Sequence, residues 1–371
     1  MLSMISSPPF PGRLGLQQRV LPRYRVAFFD QLAQTCQGGL CVYAGSPRQD
    51  EAIPQADKLS KASFYHGRNI HLFQGAAYLC WQVDLTNWLS EWDPDALIME
   101  ANPRYPASRR AIEWMHARER PVLGWGLGAP TLRGPLGAVR GPVRSRFVHR
   151  FDALIAYSER GAQEYASLGY PRERIVVAPN AVAPPPTEKP TRQPLKDRPA
   201  RMIFIGRLQA RKRVDLLLKA CAELDPVPAL TIIGDGPERV ALESLAQEVF
   251  PGARFLGARF GEQLQAALAD ADIFILPGTG GLAVQEAMAS GLPVIVAEGD
   301  GTQEDLVSGG NGWLIPPGDL EALVVAMRSA LRDPDRLQEM GNRAYKLAVE
   351  RFNIQTMTTQ FMHALSLVGE N

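Results

Sequence analysis

The stretch ILPGTGGLAVQEAMASGLPVI, residues 275–295, decides the fold. An apolar run of β type leads into four small residues, Gly278, Thr279, Gly280 and Gly281, then an apolar-periodic segment, then a second apolar run. Strand, bend, helix and strand in that order make one βαβ unit of a parallel sheet. The bend carries almost no side chains, so a ligand can approach its backbone closely. The helix beyond it presents unpaired N–H groups and a positive dipole end, which suit a phosphate. Glu286, the only acid in the stretch, lies about one turn into that helix. Its carboxylate suits a pair of vicinal hydroxyls, as on ribose; the ordinary alternative is an acid that complements the helix dipole.

Outward from here the same alternation fills both halves of the chain. Strands are predicted at residues 201–205, 229–233, 253–256, 273–276 and 293–296, with helices at 214–223, 238–249, 261–269, 282–289 and 320–331. In the first half, strands at 39–43, 96–99, 121–125, 153–156 and 175–178 alternate with helices at 24–35, 107–118 and 159–168. Between the halves, APPPTEKPTRQPLKDRPA (residues 183–200) is rich in proline and charge, has little to bury, and reads as a linker. A chain of 371 residues is too long for one ordinary core. The expected fold class is therefore α/β, with two doubly wound parallel-sheet domains of similar size.

Other strand ends in the second half carry chemistry too. IGRLQARKR, residues 205–213, delivers Gly206, Arg207 and, five residues on, Lys212 to a strand's carboxyl edge, as an anion clamp would. IIGDGPE, residues 232–238, is another strand running into a bend, at Gly234 and Asp235; its spacing is not GxGxxG, so NAD is not favoured. Residues 298–306 and 309–319 read as acidic loops and turns. Taken singly, each of these loops is ordinary punctuation. Lined up along one sheet edge, two cations, several helix N-termini and one acid fit a nucleoside diphosphate.

Bulk properties narrow the partners. The 40 basic and 39 acidic residues leave a formal charge of +1, which argues against a nucleic-acid partner. Cys36, Cys41, Cys80 and Cys221 show no CxxC spacing, so no zinc site and reduced thiols are expected. The first 19 residues lack a continuous apolar core, so no signal peptide is expected. No stretch approaches the roughly 20 apolar residues that cross a bilayer. A cytoplasmic protein follows.

In order and spacing, GRLQARKRVDLLLKA, LTIIGDGPE, ADIFILPGTGGLAVQEAMASGLPVI and GGNGWLIPPGDLEAL resemble the donor half of family 4 (group 1) retaining glycosyltransferases of the GT-B fold. QRVLPRYRVAFFDQLA, ALIMEANPR, VLGWGLGAP and ALIAYSERGAQEYASLGYPRERIVVAPN resemble, more loosely, the acceptor halves of that family. The resemblance implies two Rossmann-like domains facing a central cleft. These are an acceptor-side domain at residues 1–182, the linker at 183–200, a donor domain at 201–350, and a helix at 351–371 that crosses back. It implies that Arg207 and Lys212 hold the donor diphosphate and stabilise the leaving nucleotide, and that backbone around Gly280, Gly281, Leu282 and Ala283 approaches it. Glu286 matches the second of two family glutamates and would hold the ribose hydroxyls. No divalent metal would be obligatory, since cationic side chains replace it.

Two positions depart from the family. Gly278 stands where the first glutamate, the one that contacts the transferred sugar, is expected, and Leu127 stands where relatives often carry a histidine. In the first half, Glu100 follows a buried strand and could orient an acceptor hydroxyl; a loop cap is the alternative. Arg23 and Arg25, beside Pro22, and Gly128 make plausible acceptor-facing loops. Arg133, Arg140, Arg144, Arg146 and Arg150, interleaved with apolar residues, could meet an anionic membrane surface. They could equally form a solvated helix with a core stripe, and Gly141-Pro142 interrupts that helix.

The function expected is transfer of a hexose-type sugar from a UDP- or GDP-sugar to a hydroxyl acceptor, a glycan or polyprenyl-linked glycan, with retention, in polysaccharide biosynthesis. A nucleotide-sugar binding protein without efficient turnover, or an epimerase or hydrolase on the same fold, are the alternatives.

Overall fold

The computed structural model describes residues 8–51, 53–130, 135–189, 191, 192, 195 and 198–369, with residues 135–140 described by backbone alone. The chain divides into two compact units. One takes in residues up to Pro184 together with Ile354 onward; the other runs from Pro185 to Asn353. Among the described residues no helix is long and apolar enough to cross a membrane.

The first unit contains strands β1 Leu14–Val20, β2 Leu40–Gly45, β3 Ser63–His66, β4 Asn69–Leu72, β5 Leu79–Gln82, β6 Ala96–Glu100, β7 Val122–Gly126, β8 Ala153–Ala156 and β9 Ile175–Val177. Seven of these form a parallel sheet in the order β3-β2-β1-β6-β7-β8-β9, while β4 and β5 make a separate antiparallel hairpin. Side chains alternate between two apolar layers, as a pleated strand requires. Ala96 and Ile98 enter one layer with Phe28, Trp125 and Phe361, while Leu97 and Met99 enter the other with Tyr43, Trp88 and Leu154. Strands buried on both faces must be apolar throughout, which is why most of them could be read from sequence.

Strands β1 and β3 escape that reading: β3, SFYH at the sheet edge, is exposed at both ends, and β1 is polar inside. Its LGLQQRV places Gln17 and Gln18 in the interior at 0% and 4% exposure. The amides are satisfied there: Gln17 donates to Gln82 Oε1 and accepts from the Glu100 amide at 3.0 Å, and Gln82 donates to the Gln18 carbonyl at 3.1 Å. A buried polar group costs little once paired, but the pairing partners lie more than 60 residues away and break the apolar pattern.

The second unit contains β10 Arg201–Ile205, β11 Ala229–Ile233, β12 Arg254–Gly257, β13 Ile273–Leu276, β14 Val294–Ala297 and β15 Gly312–Ile315. They form a parallel sheet ordered β12-β11-β10-β13-β14-β15. Counted within the unit this is 3-2-1-4-5-6, the dinucleotide-fold order, whose direction reverses between its first and fourth strands. The expected fold class is therefore correct, with several local corrections. Gly312 and Trp313, expected in a loop, belong to β15, and the 302–306 segment is a short helix. The helix expected from residue 24 begins as a 3-10 turn, Arg23–Arg25, before Val26–Ala33.

Helix Pro135–Val148 runs through Pro142 instead of breaking there. Arg133 lies outside the described residues, as does the side chain of Arg140. Phe147 and Val148 are buried, Arg144 donates to the Pro130 carbonyl at 2.6 Å, and Arg150 pairs with Glu113 at 3.0 Å. That is a helix with a core stripe. The helix Ile354–Ser366 packs in the first unit, with Phe361 at 4.9 Å from the Phe28 ring and 5.0 Å from the Trp125 ring.

The proline-rich connection is more anchored than its composition suggests. Arg192 donates to the carbonyls of Leu268, Ala269, Ala271 and Ser290, satisfying a helix end. Arg198 forms a two-pronged pair with Asp272 at 2.6 and 2.7 Å.

Candidate functional site

Because β10 and β13 are neighbours at the point where strand order reverses, the loops that follow them meet outside their carboxyl ends. These loops interlock through backbone. The Thr279 amide donates to the Arg211 carbonyl at 3.1 Å, and Lys212 Nζ donates to the Thr279 carbonyl at 2.6 Å. Arg211 Nη1 reaches Thr279 Oγ1 at 3.3 Å. The turn after β11 joins them: the Leu208 amide donates to the Asp235 carbonyl at 2.9 Å, and the Glu238 amide to the Leu208 carbonyl at 3.1 Å.

The glycines are what let these loops touch. A Cβ on Gly234 would strike the Gly206 carbonyl, and one on Gly280 would strike Lys212 Nζ. A Cβ on Gly278 would lie against the Arg211 carbonyl oxygen and 2.5 Å from the Lys212 carbonyl carbon. The absent carboxylate at this position thus has a physical reason, since the backbone of the cationic loop occupies the space a side chain would need.

Electrostatically the site gathers the cations Arg207, Arg211 and Lys212 with the carboxylates of Glu286 and Asp235. Arg207 and Arg211 are exposed and Lys212 is half-buried. Burial, reinforced by the Arg211 cation, pushes the Lys212 ammonium down to about 8. Among the described residues no counter-ion pairs with Lys212, so the loops hold a cation short of solvent, an arrangement an entering anion would relieve. Helix Leu282–Ala289 begins at Gly281, which supplies no side-chain cap, and its first-turn amides are unpaired by helix geometry. Glu286, one turn further, is half-buried, and burial raises its carboxyl above the usual range. No hydrogen bond or ion pair to that carboxylate is found among the described residues. A dipole-complementing surface acid would be fully solvated; this one is half-buried and has no partner among the described residues, which suits a hydroxyl-bearing ligand.

The structure thus brings together Gly206, Arg207, Lys212, Gly278, Thr279, Gly280, Gly281, Leu282, Ala283 and Gly234. Asp235 is there as well, but its carboxylate is engaged by the Gly236 amide at 2.7 Å and by Arg239 at 3.2 Å, so it shapes the turn. Arg211 was missed, although it lies inside the quoted basic run. Thr302 was missed too; its Oγ1 lies 3.5 Å from a Cβ built on Gly281. It lies inside the 298–306 loop, but the sequence does not single it out, because the contact joins loops after different strands.

The other predicted residues lie in the first unit, after β1 and β7 and at the end of β6. Arg25 is 4% exposed, stacks 4.6 Å from the Trp125 ring and donates to Tyr157 Oη at 3.3 Å. Its Nη1 and the Oε2 of Glu100 are buried without a hydrogen-bond partner among the described residues. Burial raises the Glu100 carboxyl against the opposing pull of Arg19. Arg23 is exposed. Gly128, at φ 119°, packs against Gly161 and Glu164, and Leu127 is half-exposed. Among the described residues no cluster of three or more His, Cys, Asp or Glu could hold a metal ion.

Comparison with known proteins follows the same division. Residues 187–347 match the family described as Glycosyl transferases group 1, and residues 30–181 match the Glycosyl transferase 4-like domain. The chain is 29% identical to the putative colanic acid biosynthesis glycosyltransferase WcaL of Salmonella typhimurium, over 61% of this chain and 59% of that protein. It is 28% identical to the GDP-mannose-dependent alpha-(1-6)-phosphatidylinositol monomannoside mannosyltransferase of Mycolicibacterium smegmatis, over 76% of each. The chain thus spans little more than half the length of the Salmonella relative. In fold it is similar to Anabaena HepE in complex with UDP, with a TM-score of 0.69 at 18% identity over 95% of this chain and 99% of that one. It is also similar in fold to WaaG, a glycosyltransferase involved in lipopolysaccharide biosynthesis, with a TM-score of 0.64 at 16% identity over 96% and 100%.

Proposed function

Because the chain belongs to the group 1 glycosyltransferases of the GT-B fold, we propose that it moves a hexose-type sugar from a UDP- or GDP-sugar to a hydroxyl acceptor with retention at the anomeric carbon. The acceptor in this reading is a glycan or polyprenyl-linked glycan. One observation carries it above the rest: Lys212, a half-buried cation with no counter-ion among the described residues, clasped between glycine loops at the strand-order reversal. A diphosphate seated there restores the full ammonium charge. As the anomeric C–O bond breaks, charge grows on the departing phosphate oxygen, and Lys212 with Arg207 stabilises it. Glu286 accepts hydrogen bonds from the two ribose hydroxyls. In the first unit, Glu100 accepts a hydrogen bond from the acceptor hydroxyl and Arg25 Nη1 donates one to the acceptor. The mannosyltransferase relative is GDP-dependent by name and HepE is described with UDP, so both bases stay within the reading.

A second reading, a nucleotide-sugar binder or hydrolase, is favoured by Gly278, where no sugar-contacting carboxylate fits. Incubation with UDP- and GDP-sugars, with and without acceptor glycans, separates the two. Nucleotide release that an acceptor accelerates, with the product anomer read by NMR, supports transfer. Binding without release, or release that no acceptor increases, supports the second reading.

A further inference from the structure

A sugar nucleotide is a linear ligand, with the sugar at the far end of the phosphates from the ribose. The groups that hold its first half therefore set the direction of the rest. Glu286 lies one turn into helix Leu282–Ala289, while Lys212 Nζ reaches the Thr279 carbonyl ahead of that helix. The two charges do not act on each other: burial alone raises the Glu286 carboxyl, and burial with Arg211 lowers the Lys212 ammonium. Ribose at Glu286 and phosphates at Lys212 send the sugar toward the bend before the helix, where Thr279 and Arg211 stand.

That end of the site offers a cation where an acid has no room. Arg211 is exposed and its partners are neutral: Nε donates to Gln209 Oε1 at 3.1 Å, and Nη1 to Thr279 Oγ1 at 3.3 Å. Its carbonyl accepts from the Thr279 amide at 3.1 Å, so backbone and side chain are both fixed to the bend. Of the five guanidinium N–H donors, those on Nη2 have no partner among the described residues. Arg213, two residues on, is by contrast paired with Asp215 at 3.0 Å. A Cβ on Gly278 would strike the Arg211 carbonyl oxygen, and one on Gly280 would strike Lys212 Nζ, so the bend cannot carry a carboxylate of its own. Acids of the neighbouring loops are engaged elsewhere. Asp235 receives Arg239 at 3.2 Å, Asp300 the Thr302 hydroxyl at 2.5 Å, and Glu304 the Gly301 amide at 3.1 Å.

We propose, on the reading that Lys212 and Glu286 hold a sugar nucleotide, that the donor sugar is a uronic acid whose carboxylate is bound by Arg211. Lys212, Arg207 and the helix amides face the phosphates in that reading, and an arginine tied to Thr279 stands beyond them. A guanidinium matches a carboxylate in plane and charge, two N–H groups to two oxygens. The hydroxyls of a neutral sugar would leave its charge unbalanced. The acid that has no room at Gly278 is thus supplied by the ligand.

The test is isothermal titration calorimetry of the full chain with UDP, GDP and three matched pairs. These are UDP-glucose with UDP-glucuronate, UDP-galactose with UDP-galacturonate, and GDP-mannose with GDP-mannuronate. In at least one pair the uronate should bind about tenfold more tightly than the hexose, as a charge-assisted hydrogen bond gains over a neutral one. Added salt should narrow that gap, because Arg211 is exposed. Arg211→Gln should bring the pair level, and Arg211→Lys should restore part of the preference, a point charge replacing the two-pronged fork. An unchanged thermal melt is expected of both variants. Wild-type protein that binds UDP or GDP but prefers no uronate overturns the proposal and leaves the donor reading standing. So does an Arg211→Gln protein that keeps the preference. Wild-type protein that binds no nucleotide overturns both.

Discussion

Nucleotide affinity should fall as pH rises past 8, and replacing Lys212 by arginine should remove that fall. The Lys212 ammonium is held at about 8 by burial and by Arg211, so its proton is present below that value and lost above it. If only the protonated form holds the diphosphate, the apparent Kd scales with the reciprocal of the protonated fraction. That fraction is about nine-tenths at pH 7 and about one-tenth at pH 9, so the Kd for UDP or GDP should rise about tenfold across that window. A charge-assisted hydrogen bond to phosphate is worth about 1.5–3 kcal/mol, enough that the unprotonated form does not mask the trend. Isothermal titration calorimetry over this range measures it. Lys212→Arg keeps its charge throughout and should give a flat profile, while Lys212→Gln should bind at least tenfold more weakly at pH 7 and also lie flat. A flat wild-type profile, or a Lys212→Arg protein that keeps the fall, would refute the assignment of Lys212 to the phosphates.

Further outcomes follow from the same geometry. Arg207→Ala should weaken donor binding and slow turnover about 10–100-fold through lost phosphate contacts, measured by steady-state nucleotide release. Glu286→Gln should weaken nucleotide about 5–30-fold; 2′,3′-dideoxy nucleotides, which lack its partners, should bind wild type and variant alike. Gly278→Ala should lower the melting temperature by several degrees, because its methyl meets the backbone of Arg211 and Lys212 and overpacking costs about 1–3 kcal/mol. Glu100→Gln should leave nucleotide Kd unchanged and cut acceptor-dependent kcat at least tenfold.

The α/β alternation was legible because a parallel strand covered on both faces must be apolar along its whole length, and glycine or proline must mark its ends. Ile203 to Ile205 and Ile273 to Leu276 announce themselves this way, and with them the loops that carry Arg207, Lys212 and Glu286. The polarity of β1 and of the β4–β5 hairpin was not legible. Gln17 is interior only because Gln82 and the Glu100 amide meet it, and Ile70 is exterior only because Asn69 and His71 find carbonyls on the other side.

Sequence alone therefore determined the strand order's raw material and the residue types at the carboxyl edge, since both depend on local pattern. Tertiary structure decided the properties that depend on what touches what. Gly278 reads in sequence as a missing carboxylate; in the fold it is the one residue type that lets the Lys212 loop close against the loop after β13. Lys212 reads in sequence as one cation of an anion clamp, with nothing to show its burial. Only the fold, which half-buries it beside Arg211 and joins it to Thr279, 67 residues away, brings its ammonium down to about 8.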